Sequence, residues 1–182
     1  MSEILKLPQL KNIRLLLLDV DGVLTDGSII YNEHGEETKV FNVRDGLGIR
    51  LLQEAGIHVG IVTGRTSQAL IHRCRNLGIE LVFDDVRDKI TALTIILKQL
   101  KISALEIAFV GDDLIDLPVM RRIGLPIAVA DAHALVRETA LWTTSARGGR
   151  GAVREVCEAL LKAQKKWRPL LEEFKWLEKE KN

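Results

Sequence analysis

"LLLLDVDGVLTDG", residues 15–27, runs four leucines into aspartates at positions 19, 21 and 26. An apolar run closed by aspartate and glycine reads as a strand buried on both faces of a parallel sheet. The charge at its end poses a problem. Crowded carboxylates repel one another, raise each other's pKa and resist burial unless something positive holds them. They sit in a wet turn, or they surround a cation. Residues i and i+2 of an extended chain point the same way, so Asp19 and Asp21 start on one face, and unwinding at Gly22 lets them take different jobs.

Outward from this stretch, apolar runs alternate with helical patterns. Strands are expected near 14–20, 57–63, 79–83, 107–111 and 125–130, and helices near 46–55, 67–77, 87–101, 114–123, 133–140 and 152–167. Gly56, Gly78 and Gly124 each follow a helical pattern, where a left-handed C-cap is expected. The alternation predicts the α/β class, with a doubly wound, Rossmann-like parallel sheet covered on both faces. One segment breaks the rhythm. "SIIYNEHGEETKVFN", residues 28–42, has two β-rich runs around Glu33-His34-Gly35-Glu36, a hairpin signal. It is too small for a second domain, so residues 1–182 are read as one domain with a flap at 28–42.

The chain has 182 residues, 47% of them hydrophobic, enough for one sizeable core. A net charge of +1 gives no global field toward nucleic acid or an anionic membrane. No apolar run approaches the roughly 18 residues of a membrane span. Met-Ser-Glu-Ile-Leu-Lys at the start lacks the apolar region of a signal peptide, and a soluble cytoplasmic protein is expected. Cys74 and Cys157 lie in separate helical patterns and read as reduced, buried thiols. His34, His58, His72 and His133 form no metal-ligand spacing. The basic run from Lys162 to Arg168 reads as a solvated helix face.

In open α/β sheets ligands bind beyond the carboxyl ends of the strands. Polar residues gather at such ends in Asp19-Val-Asp21-Gly22, Thr63-Gly64-Arg65 and Gly111-Asp112-Asp113-Leu-Ile-Asp116, and Asp88-Lys89 opens a helix. Their order, D-x-D, T, K and G-D-D-x-x-D, resembles the four motifs of the haloacid dehalogenase superfamily across most of residues 14–150. The resemblance implies Mg²⁺, held by the carboxylates of Asp19 and Asp112 and the carbonyl of Asp21. Such a hard cation takes oxygen ligands and answers the opening problem of charge. The resemblance also implies aspartyl-phosphate catalysis. Asp19 is the nucleophile and Asp21 the general acid and base, while Thr63 and Lys89 bind the phosphoryl oxygens. Asp113 and Asp116 orient the metal waters and Lys89.

A cap usually seals a site of this type, and here the only insertion after the first motif is the flap. That is similar to the capless branch of the superfamily, and water exclusion then falls to another subunit. Finer segments narrow the resemblance: "KVFNVRDGLGIRLL", "GIVTGRTSQAL", "GDDLIDLPVM", "GLPIAVADAH" and "GGRGAVREVCEALLKAQ". Over about residues 10–165 they resemble the family of phosphatases acting on 3-deoxy-D-manno-octulosonate (KDO) 8-phosphate. The resemblance implies a cytoplasmic homotetramer that makes KDO and phosphate for lipopolysaccharide. Its flaps meet around the tetramer's centre, and a C-terminal tail, here about 165–182, reaches a neighbour's site.

A substrate with a carboxylate far from its phosphate needs further cations. Arg65, Arg44, Arg147 and Arg150 are candidates, with Arg65 first because it follows the phosphate-binding Thr63 so closely. Gly22, Gly64 and the glycines around Arg150 could let backbone approach the ligand. The chain departs from the family pattern at Lys165-Lys166-Trp167-Arg168-Pro169, where the last helix is expected to run on to about Trp167 before Pro169 breaks it. Leu170, Leu171, Phe174, Trp176 and Leu177 beyond it suggest packing on another subunit. Two alternatives stand. The nearer is the same chemistry on a sialic-acid-like nonulosonate 9-phosphate. The more distant is a phospho-accepting receiver domain, against which the Asp19-x-Asp21 spacing and the acidic cluster after the lysine both argue.

Overall fold

A computed structural model describes residues 4–177. In chain order its strands are β1 (Leu15–Leu18), β2 (Ile30–Tyr31), β3 (Glu37–Thr38), β4 (His58–Val62), β5 (Leu81–Phe83), β6 (Ile107–Gly111), β7 (Leu125–Ala128) and β8 (Trp142–Thr143). The helices are α1 (Val43–Glu54), α2 (Gln68–Leu77), α3 (Lys89–Leu100), α4 (Leu117–Met120), α5 (Ala134–Thr139), α6 (Ala152–Ala163) and α7 (Trp167–Glu173). Six strands form one parallel sheet in the order β5-β4-β1-β6-β7-β8, and β2 and β3 pair antiparallel as the flap. All four leucines of β1 are fully buried between β4 and β6, as an unbroken apolar run requires. Strand order reverses between β1 and β6. That topological switch point is where a ligand crevice opens in sheets of this kind, and the two acidic motifs follow its two strands.

The structure departs from the sequence expectations at five places, each with a physical cause. α1 starts at Val43, three residues early, because the Asn42 side chain accepts from the Arg44 amide at 2.8 Å and caps it there. The helix expected over 114–123 is a 3-10 turn, Leu114–Asp116, followed by the single turn of α4. Gly124 does not take the left-handed conformation that Gly56 (φ +77°) and Gly78 (φ +69°) adopt. A side chain there would instead strike the Leu105 carbonyl oxygen. The last long helix ends at Ala163, since Lys165 turns left-handed (φ +58°), and Pro169 sits harmlessly in the first turn of α7. Finally, β8 is a two-residue edge strand too short to show a period.

Leu170 packs back into the chain's own core, whereas Phe174, Trp176 and Leu177 stay exposed, with the rings of Phe174 and Trp176 stacked 5.0 Å apart. The remainder of the tail, residues 178–182, lies outside the described residues. Cys74 and Cys157 are free and buried, and burial pushes the Cys74 thiol up to about 11, which leaves it unreactive. No helix among the described residues is long and apolar enough to cross a membrane.

Candidate active site

Beyond Leu18 the chain stays beside β6 for one more residue, the Asp19 amide donating to the Val110 carbonyl at 3.1 Å. This sets the Asp19 carboxylate, on a side chain only 6% exposed, at the switch point. Lys89 arrives from the first turn of α3, which the Asp88 side chain caps through the Ile90 amide at 3.0 Å. Its buried ammonium lies 2.9 Å from Asp19 Oδ1 and 2.6 Å from Asp116 Oδ1. The second oxygen of Asp116 accepts from the amides of Asp112 (2.9 Å) and Asp113 (3.3 Å), so both its oxygens are engaged. Asp116 therefore fixes Lys89.

Carboxylate oxygens of Asp19, Asp112 and Asp116 all lie within 4.8 Å of one another. Burial first, then the Asp116 charge, pushes Asp19 up to about 6 despite the Lys89 ammonium beside it. Burial and the charges of Asp19, Asp116 and Asp113 push Asp112 up to about 8. Asp112 Oδ1 is buried and has no hydrogen-bond partner. An orphaned oxygen among mutually repelling carboxylates is what a small hard cation would satisfy, so the residues fit a divalent metal. Lys89 alone cannot. Its ammonium is already shared between Asp19 and Asp116.

A cavity of about 260 Å³ opens over the cluster, lined by Asp19, Asp21, Thr63, Gly64, Arg65, Asp112, Asp113 and Ile115. Roomier hollows of about 360 and 630 Å³ open at the opposite, amino end of the sheet, but neither holds more than one carboxylate. Thr63 is buried, its hydroxyl accepting from the Arg65 amide at 3.5 Å. Asp113 is exposed and caps the Leu114 amide at 2.8 Å while also bordering the cavity.

Two charged side chains beside Asp21 that the motifs did not single out come from the flap. Along residues 37–40 burial alternates, so Glu37 and Lys39 face inward while Thr38 and Val40 face out. The Lys39 side chain is only 2% exposed. It pairs with Asp21 Oδ1 and lies 3.3 Å from Glu37. Glu37 in turn holds Arg65 at 2.8 Å, and the Arg65 guanidinium returns to Asp21 Oδ2 at 3.4 Å, closing a ring of four charges. Burial pulls the Glu37 carboxyl up, but hydrogen bonds from Arg65, Ser67 and Lys39 outweigh it and hold it low. No local pattern marks the two flap residues, since Glu37, Thr38 and Lys39 are all polar.

The remaining candidates are scattered. Arg44 is exposed at the start of α1, Arg147 is exposed, and Arg150 pairs with Asp26 at 3.0 Å; none of the three lines the cavity in this chain. Gly22 (φ +87°) has no room for a side chain, because the Asp112 carboxylate occupies that space. Gly148 and Gly149 bring backbone against backbone rather than against the cavity. A side chain at Gly148 would strike the Gly22 carbonyl oxygen, and the Gly149 amide donates to the Val23 carbonyl at 2.8 Å. These contacts brace the loop that carries Asp21.

Residues 82–155 match the model of the haloacid dehalogenase-like hydrolases. The KDO 8-phosphate phosphatase KdsC of Escherichia coli K12 is 52% identical over 156 residues, 86% of this chain and 83% of that protein. This chain belongs to the KDO 8-phosphate phosphatase family. Among solved members, the Yersinia pestis phosphatase superposes with a TM-score of 0.88 at 47% identity, covering 92% of this chain and 89% of that one. The Moraxella catarrhalis phosphatase, in complex with magnesium ion, phosphate ion and KDO, gives 0.90 at 43% identity, covering 96% and 99%. The family's fold is thus the α/β sheet described above, and no second folded unit covers it among the described residues.

Proposed function

We propose that this protein is a Mg²⁺-dependent phosphomonoester hydrolase that converts KDO 8-phosphate to KDO and inorganic phosphate. The observation that carries this reading is the buried Lys89 ammonium shared by Asp19 and Asp116 beside the unpartnered oxygen of Asp112. The carboxylates of Asp19 and Asp112 and the main-chain carbonyl of Asp21 would hold the ion. Bound there, Mg²⁺ neutralises the acidic cluster and lets an anionic phosphate come near it.

The chain's own residues then divide the work. An Asp19 oxygen attacks phosphorus, and the bond from phosphorus to the sugar oxygen breaks as Asp21 gives that oxygen its proton. The Thr63 hydroxyl donates to a phosphoryl oxygen, while Lys89 offsets charge on those oxygens. Water next attacks phosphorus and passes a proton to Asp21, and the bond to Asp19 breaks to free phosphate. Asp113 and Asp116 support the cluster and Lys89. Arg65, half-exposed at the cavity's rim, is the side chain best placed to meet the substrate carboxylate, since Arg44, Arg147 and Arg150 do not line the cavity.

The flap supports assembly of several copies. It is partly turned inside out, with Glu37 and Lys39 facing its own site and its apolar side chains in solvent. Ile29 is 52%, Val40 60% and neighbouring Val43 80% exposed. Such a face is costly unless covered, and a homotetramer with flaps meeting at its centre covers it and excludes water from the sites. The enzyme works in the cytoplasm, as one domain spanning residues 1–182. Continuous phosphate release from a panel of sugar phosphates with Mg²⁺ tests the function. KDO 8-phosphate should be hydrolysed over many turnovers and faster than nonulosonate 9-phosphates. A preference for the latter, or a single turnover per chain, refutes it.

A further inference from the structure

Asp21 stands two residues from Asp19, yet its carboxylate is absent from the cluster that Asp19, Asp112 and Asp116 form. Simple electrostatics argues that this needs a cause. A divalent ion at such a cluster attracts every carboxylate in reach, and a fourth would swing toward it unless a competing cation held it back. Lys39 is that cation. Its ammonium pairs with Asp21 Oδ1 and is only 2% exposed, so solvent screens the pair weakly. Glu37, 3.3 Å away on the same strand face, fixes the ammonium, and Arg65 restrains the other Asp21 oxygen from 3.4 Å.

We propose that Lys39 of the flap is a positioning residue that withholds the Asp21 carboxylate from the metal cluster, keeping it free for proton exchange with the leaving group. The proposal rests on the acid–base role assigned above to Asp21. It also gives the flap a second task within its own subunit. By carrying Lys39, the flap makes the geometry of Asp21 depend on its own docking.

The test exploits two effects of opposite sign. In Lys39→Met, Asp21 is released to join the cluster, so affinity for Mn²⁺ alone, titrated by electron paramagnetic resonance, should rise on the order of tenfold. Turnover of KDO 8-phosphate should fall about 100-fold, the low end of what a general acid supplies. Because an aryl leaving group needs little protonation, ester consumption in a single turnover should fall less for 2,4-dinitrophenyl phosphate than for KDO 8-phosphate. Lys39→Arg should restore much of both. In Lys39→Met/Asp21→Asn the gain in Mn²⁺ affinity should vanish, since the side chain that supplied it is changed.

A loosened site would weaken Mn²⁺ binding and slow both esters alike, and either result from Lys39→Met overturns the proposal. Should that variant not fold, Glu37→Gln, which frees the lysine from one partner, must alter the ratio of rates on the two esters, and an unaltered ratio overturns it equally. Asp21→Asn separates the two levels. If it slows KDO 8-phosphate far more than the aryl ester, the acid–base role stands whatever Lys39 does. If it slows them equally, that role falls and takes the proposal with it.

Discussion

Adding Mg²⁺ to the metal-free protein at pH 7 should expel close to one proton. Burial and mutual repulsion push Asp112 up to about 8 and Asp19 up to about 6. Roughly 0.9 of the Asp112 carboxyls and roughly 0.1 of the Asp19 carboxyls are then protonated at pH 7, together about one proton. A metal takes only the ionised forms, so binding must displace it. Apparent affinity should rise about tenfold per pH unit between roughly pH 6 and 8 and level off above 8. Calorimetric titration in two buffers of different ionisation enthalpy counts the proton directly. Stability follows from the same shifts. Both carboxyls are raised above their ordinary 3.8, so between about pH 4 and 8 the native metal-free chain binds more protons than the unfolded one. Its stability therefore falls as pH rises through that window. The gain in Tm from Mg²⁺ should accordingly be larger at pH 8 than at pH 5.5. Buffer-independent binding heats with a flat affinity from pH 6 to 8 would refute the reasoning, because the carboxylates would already be ionised without the metal.

Asp19→Asn keeps the side chain's size but removes the nucleophile and a ligand charge, so phosphate release should collapse, whereas Asp21→Asn should lose roughly 10²–10⁴ in rate with metal affinity less affected. Near-normal phosphate release from either variant would sink that assignment. Replacing Ile29 and Ile30 by aspartate puts charge on the flap's outer face and should weaken assembly and activity together, read by light scattering beside the assay. A wild type that is active as a monomer would defeat the shared-site reading. Arg65→Ala should cost roughly 10- to 150-fold in kcat/KM on KDO 8-phosphate but much less on p-nitrophenyl phosphate, with lysine a partial rescue. An equal loss on both esters would mean that Arg65 serves the phosphate site or the fold.

The sheet was legible because each buried strand writes itself as an unbroken apolar run, and Leu15–Leu18 is the clearest case. Asp19 and Asp112 were legible because a carboxylate at the end of such a run is costly without a reason. The rest depends on tertiary contacts that no local pattern encodes. Gly124 looked like a helix cap, yet it accommodates the Leu105 backbone, which precedes the neighbouring strand β6. Gly148 looked like a ligand approach, yet it makes room for Gly22, 126 residues earlier in the chain. Lys39 was hidden for a different reason. A lysine in a polar hairpin ordinarily faces water, and only the inverted packing of the flap buries it.

That inversion shapes the charge balance of the site. Five carboxylates, Asp19, Asp21, Glu37, Asp112 and Asp116, meet three fixed cations, Lys39, Arg65 and Lys89. With all of them ionised these groups sum to −2, and the exposed Asp113 at the cavity's rim adds one more negative charge, an excess that a divalent ion reduces. The three cations are also spent unevenly. Lys89 serves the inner cluster with Asp116, while Lys39 and Arg65 serve the outer ring with Asp21 and Glu37. The deficit therefore falls on Asp19 and Asp112, the two carboxyls pushed furthest above their ordinary range. Without the flap's lysine, Asp21 would join them and the inner cluster would hold four carboxylates against one ammonium. The division of labour between a nucleophile and an acid two residues apart thus depends on a cation supplied from the flap, 18 residues beyond Asp21.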